Sequence, residues 1–325
     1  MSGVEQVTVA ESDDGQRLDR WLKKRMPFVV AQKMIRTGQV RVDGKRAKAD
    51  TRLSAGQTVR IPPLLDKPDD YKRPTHRAHV DDPSYIKAMI IYDDGDIVAL
   101  NKPGDIASQG GGGVERHIDA LLEHLTDKKG RRPHLVHRLD RDTSGVLLCA
   151  RAPESLRRLG KMFHDRRARK TYWAIVAPAP DQAEGTINAP VYKAKGPHKD
   201  RMMIGEDEDS KNAITDFKVV EFAAKKAAFI VFSPRTGRTH QLRVHAADVL
   251  NCPIVGDGKY GGAEARIGGE GIAKRLHLHA RRLTLPHPSK DETIDITAPL
   301  PPDLAASWKA LGFDESTGDS HGSFS

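Results

Sequence analysis

Val136-His137-Arg138-Leu139-Asp140-Arg141-Asp142-Thr143-Ser144-Gly145-Val146-Leu147-Leu148-Cys149-Ala150 passes from a dense ionic cluster straight into an apolar run. Val146 to Ala150 reads as a buried strand or core segment bounded by Gly145. An ionic cluster joined to such a segment holds at least one carboxylate near apolar surroundings, where a charge is costly unless paired. Taken alone, the cluster is equally well a surface turn of solvated Arg–Asp pairs.

The flanks add further elements. Upstream, Ile90-Ile91-Tyr92, Asp93-Asp94-Gly95-Asp96 and Ile97-Val98-Ala99-Leu100-Asn101-Lys102-Pro103 read as strand, turn, strand and breaker. Gly110 to Gly113 reads as a flexible loop before a helical run, Ile118 to Leu125. Its backbone amides could receive a phosphate, and the absence of Gly-Lys-Ser/Thr rules out an ATP-binding P-loop. Downstream, Arg169–Val176 reads as a strand, and Ala213–Val220 and Ala228–Phe232 as successive antiparallel strands. Gly196 to Lys211 is polar and charged, an exposed loop or hairpin. Thr239 is placed as N-cap of a helix to about Leu250, with Arg243 pointing into a site and Leu242 as its apolar floor. His240 and His245 stand at i, i+5 with no accompanying Glu, a poor match to helical metal ligands. His277 and His279 alternate in a strand and read as hydrogen-bonded imidazoles rather than zinc ligands.

The 325-residue chain is long enough for more than one domain. It has no run of eighteen apolar residues and no secretory start. Its two cysteines, Cys149 and Cys252, sit beside apolar residues, as reduced thiols of a cytoplasmic protein would. The net charge is +9, and Arg17 to Arg60 alone hold thirteen Lys or Arg against three Asp. Basicity is thus a property of one module, which points to a polyanionic partner. In it Leu18, Trp21 and Leu22 fall on one helical face, with Arg17, Arg20, Lys23 and Lys24 on the other. Pro27 ends that helix. A second helix runs from about Ala31, carries Arg36 and stops at Gly38. Val40-Arg41-Val42, Asp43-Gly44 and Thr58–Ile61 give a strand, a hairpin turn and a later strand. Pro62-Pro63 through Pro83 has linker composition, and the tail from Glu315 reads as disordered.

His137-Arg138-Leu139-Asp140-x-x-Thr143-Ser144-Gly145 resembles the signature of the RluA-type RNA pseudouridine synthases. Asn101-Lys102-Pro103, Lys170-x-Tyr172, Gly237–His245 and Pro253–Gly261 resemble further motifs of that family, in its order. The basic module, with Arg17-Leu18-Asp19-Arg20 and the Ile35-x-x-Gly38-x-Val40-x-Val42-x-Gly44 spacing, is similar to the S4 RNA-binding domain. The resemblance implies an α+β protein: an S4-like domain at 16–62, a linker at 63–84, a largely antiparallel catalytic domain at 85–313 and a tail at 314–325. It implies an isomerase, acting as a monomer in the cytoplasm without cofactor, metal or membrane, that turns uridine into pseudouridine in RNA. Within the family the chain looks most like the RluC type, whose substrate is large-subunit ribosomal RNA. By motif position Asp140 is the nucleophile, with Asp142 as runner-up. Tyr172 stacks on the base, Arg243 is the cation beside the nucleophile, and Arg138 fills the space the flipped base leaves. Leu242 borders the base, and Arg17, Arg20, Lys23, Lys24, Arg36 and Arg41 grip RNA backbone. A non-catalytic ribosome-assembly factor would account for the basic module and not for Asp140, Tyr172 and Arg243 together. A metal-dependent phosphohydrolase would need a ligand cluster drawn from the His-rich segments.

Overall fold

A short helix becomes stable only when its apolar stripe is buried against something else. Leu18, Trp21 and Leu22 supply such a stripe on α1 (Leu18–Lys23) and pack on Val40, Val42, Leu53, Val59 and Ile61. The computed structural model describes residues 5–26, 31, 34–62, 83–111, 116–195 and 201–320. The chain divides into two units, Met1–Thr75 and His76–Ser325.

In the first unit a four-stranded antiparallel sheet runs in the order β1 (Glu5–Thr8), β4 (Thr58–Ile61), β2 (Arg41–Val42), β3 (Lys45–Arg46). Asp43 and Gly44 join β2 to β3 with φ of 47° and 76°, the left-handed pair that a tight hairpin requires. Ala31 and Met34–Arg36 are helical and stop at Gly38, whose φ is 72°. Helix α1 ends at Lys23; the expected breaker Pro27 lies outside the described residues. Strand β1 was not anticipated, because the unit was expected to begin at residue 16. Only Val7 of its four residues packs on the core, too little alternation to read as a strand.

The second unit opens with α2 (Pro83–Ala88), so ordered structure begins inside the expected linker; most of that linker, 63–82, lies outside the described residues. There follow β5 (Ile90–Asp93), β6 (Ile97–Lys102), α3 (Ile118–Leu121), β7 (His134–Leu135), β8 (Ser144–Ala150), α4 (Pro153–His164) and β9 (Arg169–Val176). Next come β10 (Glu184–Asn188), β11 (Val191–Lys193), β12 (Met202–Ile204), β13 (Ile214–Ala223), β14 (Ala227–Pro234) and α5 (Gln241–Val244). The unit closes with β15 (Leu278–Pro286), β16 (Thr293–Thr297), α6 (Pro302–Ala310) and α7 (Glu315–Ser320). The main sheet runs β10-β13-β14-β9-β15-β8-β6-β5, with β16 on β15 and β7 on β8; β11 and β12 form a separate hairpin. Among the described strands every pairing is antiparallel except β8 with β15. The architecture is α+β.

Strand β8 reads as an unbroken apolar run because both its faces are covered. Leu147 and Cys149 pack with Val98, Leu100 and Leu139, while Val146 and Leu148 pack with Ile97, Ala99 and Leu159. The same alternation on β9 sends Tyr172 to the Leu139 side and Trp173 to the opposite face, against Phe229 and Trp308.

Two sequence expectations fail here. The tail is helical over Glu315–Ser320; Gly318 lies so close to Trp173 and Phe229 that a side chain would overlap them, and Arg281 pairs with Asp319. Tertiary docking makes this helix, since its Ser, Thr and Gly residues have little propensity of their own. The helix expected from Thr239 to Leu250 is also different. It starts at Gln241 after His240 with φ 53°, and from His245 to Val249 it widens to a π turn.

Candidate active site

The loop between His137 and Thr143 is held from below by backbone-directed side chains. Ser108 Oγ donates to Leu139 O at 2.8 Å and accepts from its N–H at 3.0 Å. Lys102, wholly buried, donates to the carbonyls of Pro103 (2.7 Å), Ile106 (2.9 Å) and Arg141 (3.0 Å). Burial pushes its pKa down to about 7. Three carbonyl acceptors nevertheless match the three N–H groups of an ammonium, one each. His137 accepts from Leu148 N at 3.1 Å, and burial pushes its pKa down to about 4, so the ring is neutral. It stacks on Phe163 at 4.7 Å. Asp140 is therefore carried on a short loop fixed at Leu139 and Arg141, its immediate neighbours.

That loop forms one wall of an open cavity of about 820 Å³. Asp140, Tyr172, Leu242, Arg243 and Arg138 all line it, so the three residues expected to be catalytic converge with Arg138 and Leu242, expected to bind substrate. Asp142 is exposed and not among the lining residues. Arg138, Arg141, Arg166, Lys170, Arg235 and Arg238 ring the cavity with positive charge, as a polyanion requires. Lys170 has its pKa pushed down to about 8, by burial first and by the Arg166 cation second.

Tyr172 packs with both apolar clusters that meet beneath the cavity. Burial first, and the nearby Asp140 charge second, push its hydroxyl pKa well above the ordinary phenol value. Leu242 is buried among Ala174, Ala246 and Leu278, as an apolar floor should be. Arg243 differs from expectation in its partner. Its guanidinium forks the buried Asp257 carboxylate with two 2.7 Å hydrogen bonds, so Asp257 rather than Asp140 is its ion-pair partner. Burial alone would raise the Asp257 pKa, but Arg243 and the N–H groups of Lys259 and Tyr260 hold it below the usual value.

Sequence reasoning missed His240, set aside as a metal-ligand look-alike. Its Nε2 stands 4.0 Å from Asp140 Oδ2 and its Nδ1 2.7 Å from the Tyr260 hydroxyl. Thr239 does not cap the helix; the Gln241 side chain accepts from Arg238 N and reaches back to Ile214 O and Thr215. His245 bonds Thr215 and Ala189, His277 bonds Val255, and His279 bonds Ser144 and Ala298. Among the described residues no three His, Cys, Asp or Glu gather as metal ligands, and no helix is long and apolar enough to cross a membrane. Lys102 and Tyr260 lay inside motifs that the sequence displayed, but nothing in the local pattern disclosed their contacts.

In the first unit Arg20, Lys23, Arg36 and Arg41 are exposed. Arg17 and Lys24 are exposed as well, yet each has a carboxylate partner, Asp19 at 2.8 Å and Asp13 at 2.9 Å. Arg17, Arg20 and Arg52 border a shallow cleft.

Residues 96–248 match the RNA pseudouridylate synthase family and residues 16–59 the S4 domain. Over 303 residues the chain is 36% identical to ribosomal large subunit pseudouridine synthase C of Vibrio parahaemolyticus, covering 91% of this chain and 93% of that protein. The Escherichia coli protein of the same name is 35% identical over 306 residues, with the same coverage of each chain. Human RNA pseudouridylate synthase domain containing 4 has a similar structure: TM-score 0.59 and 26% identity, over 70% of this chain and 95% of that one.

Proposed function

Since the chain belongs to the RNA pseudouridylate synthase family, we propose that it converts specific uridines of large-subunit ribosomal RNA to pseudouridine, with Asp140 as nucleophile. The observation that carries the residue assignment is the convergence of Asp140, Tyr172 and Arg243 on one cation-rimmed cavity, with Asp142 left outside it. The substrate assignment is supported by the names of relatives that match nine-tenths of the chain.

The reaction is an isomerisation. The bond between uracil N1 and ribose C1′ breaks, a bond from C5 to C1′ forms, C5 gives up its proton and N1 gains one, so no atom enters or leaves overall. A base stacked in a helix cannot reach Asp140, so the nucleotide must flip out, at a cost of a few kcal/mol. Tyr172 offers an aromatic face to the flipped uracil, and Arg138 stands at the rim where it can fill the vacated place. Asp140 acts as the carboxylate that attacks, and the loop contacts at Leu139 and Arg141 hold it in register. The first unit grips phosphates, which gives affinity and position without reading sequence. The enzyme works as a monomer in the cytoplasm, where Cys149 and Cys252, both buried and free, stay reduced.

Asp140→Asn removes the charge and keeps the volume. Tritium release from C5-labelled uridine in a ribosomal RNA fragment should vanish, while RNA affinity stays near wild type and Asp142→Asn remains active. Substantial turnover by Asp140→Asn would overturn the assignment.

A further inference from the structure

His240 reaches Asp140 from the start of α5, where its left-handed backbone (φ 53°) turns the chain into the helix. Which of its ring nitrogens carries the proton follows from counting donors. The Met202 N–H donates to the Tyr260 oxygen at 3.0 Å. Tyr260 is a buried residue, and the acceptor placed beside its hydroxyl is His240 Nδ1 at 2.7 Å. If Nδ1 instead carried the hydrogen, the hydroxyl proton would be left inside the protein without a partner, a costly arrangement. Burial holds the His240 ring below its ordinary pKa, against the pull of the Asp140 charge. A neutral ring with Nδ1 accepting has its single proton on Nε2, the nitrogen that faces Asp140 Oδ2.

We propose that Met202, Tyr260 and His240 form a positioning chain for the nucleophile: Tyr260 fixes His240 as the Nε2–H tautomer, and that N–H orients the Asp140 carboxylate for attack. This rests on the reading of Asp140 as nucleophile. At 4.0 Å the two groups are not yet hydrogen-bonded, and the proposal requires this gap to close with substrate in the cavity, as catalytic bonds that are long in a free enzyme often do. The charged and titratable groups facing the ring are Asp140, Arg243, Lys259, Asp257 and Tyr260. Arg243 turns its Nε and Nη2 to Asp257, while His240 sets its Nε2 4.0 Å from Asp140 Oδ2. The guanidiniums of Arg201 and Arg243 lie 5.1 and 5.2 Å from the Tyr260 ring centre and help hold its plane. Met202 belongs to β12, so the hairpin β11–β12 supplies the first donor of the chain.

The test uses the full-length protein labelled with ¹⁵N-histidine. Ring-nitrogen NMR should show His240 protonated on Nε2 in the wild type and lose that single tautomer in Tyr260→Phe. Single-turnover tritium release should fall roughly tenfold in both Tyr260→Phe and His240→Asn, the scale of one lost hydrogen bond, with RNA affinity unchanged. Asn is chosen because it tolerates positive φ. His240→Gln, whose amide nitrogen extends toward the place of Nε2, should recover part of the loss. An Nδ1–H tautomer in the wild type, or wild-type rates in both Tyr260→Phe and His240→Asn, would overturn the proposal. Normal turnover by Asp140→Asn would instead sink the nucleophile assignment and leave the tautomer measurement standing.

Discussion

Tyr172 combines an aromatic face with a hydroxyl that burial and Asp140 keep protonated. The two parts can be separated by substitution. Stacking of a base on an aromatic side chain is worth roughly 1–3 kcal/mol, so Tyr172→Leu should weaken capture of the flipped uridine by about that amount. Tyr172→Phe keeps the face, so it should bind RNA normally and turn over about 10²-fold more slowly if the hydroxyl moves a proton. Because the phenol pKa lies above its ordinary value, the wild-type rate should show no alkaline decline from this group below about pH 10. Binding constants and single-turnover rates for the two variants, across pH, check all three statements. Unchanged rates in both would remove Tyr172 from the site.

At the scale of elements, the parallel pairing of β8 with β15 aims the Asp140 loop at Tyr172. Gly145 makes that pairing possible: its φ is 114°, and a Cβ there would overlap the Ala280 carbonyl. Gly145→Ala should therefore destabilise the protein by about 3 kcal/mol or more, from backbone strain and overpacking together. Gly160, inside α4 with no neighbour within 4 Å of a built Cβ, is the control. Gly160→Ala should stabilise by roughly 0.5–1 kcal/mol. Denaturant melts of the two variants should move in opposite directions. Elements of this kind were largely legible in the sequence, since β6 and β8 carry apolar runs, β5 is a short apolar stretch ending in Asp, and β9 alternates weakly. The meetings between elements were not. Arg243 and Asp257 stand fourteen positions apart and meet only because the chain folds back after the π turn, and His240 reaches Asp140 through a backbone conformation that no local pattern announces. The α7 helix escaped notice for the same reason: its stability comes from Trp173, Phe229 and Arg281, far away in the chain.

At the scale of the whole molecule, positive charge is concentrated in two places: the first unit, and the rim of the cavity in the second. The sequence located the first by simple counting. The second is dispersed along the chain from Arg138 to Arg238 and only folding assembles it. The two sets should contribute differently. On the proposed function, cations on the first unit should neutralise phosphates and release counterions, and so govern affinity and its dependence on salt, whereas rim cations should also act on the flipped nucleotide. Arg17 and Lys24 are engaged by Asp19 and Asp13, which leaves Arg20, Lys23, Arg36 and Arg41 as the better candidates for holding phosphate. Replacing those four with Gln, in the full chain, should reduce the steepness of log K against log salt by roughly 3, at about 0.7–0.9 for each phosphate no longer neutralised. The single-turnover rate at saturating RNA should stay at the wild-type value, because none of the four lines the cavity that holds Asp140. An unchanged salt slope would mean that the first unit does not hold RNA through these side chains. A fall in rate at saturation with an unchanged slope would mean that the unit acts on the chemistry instead.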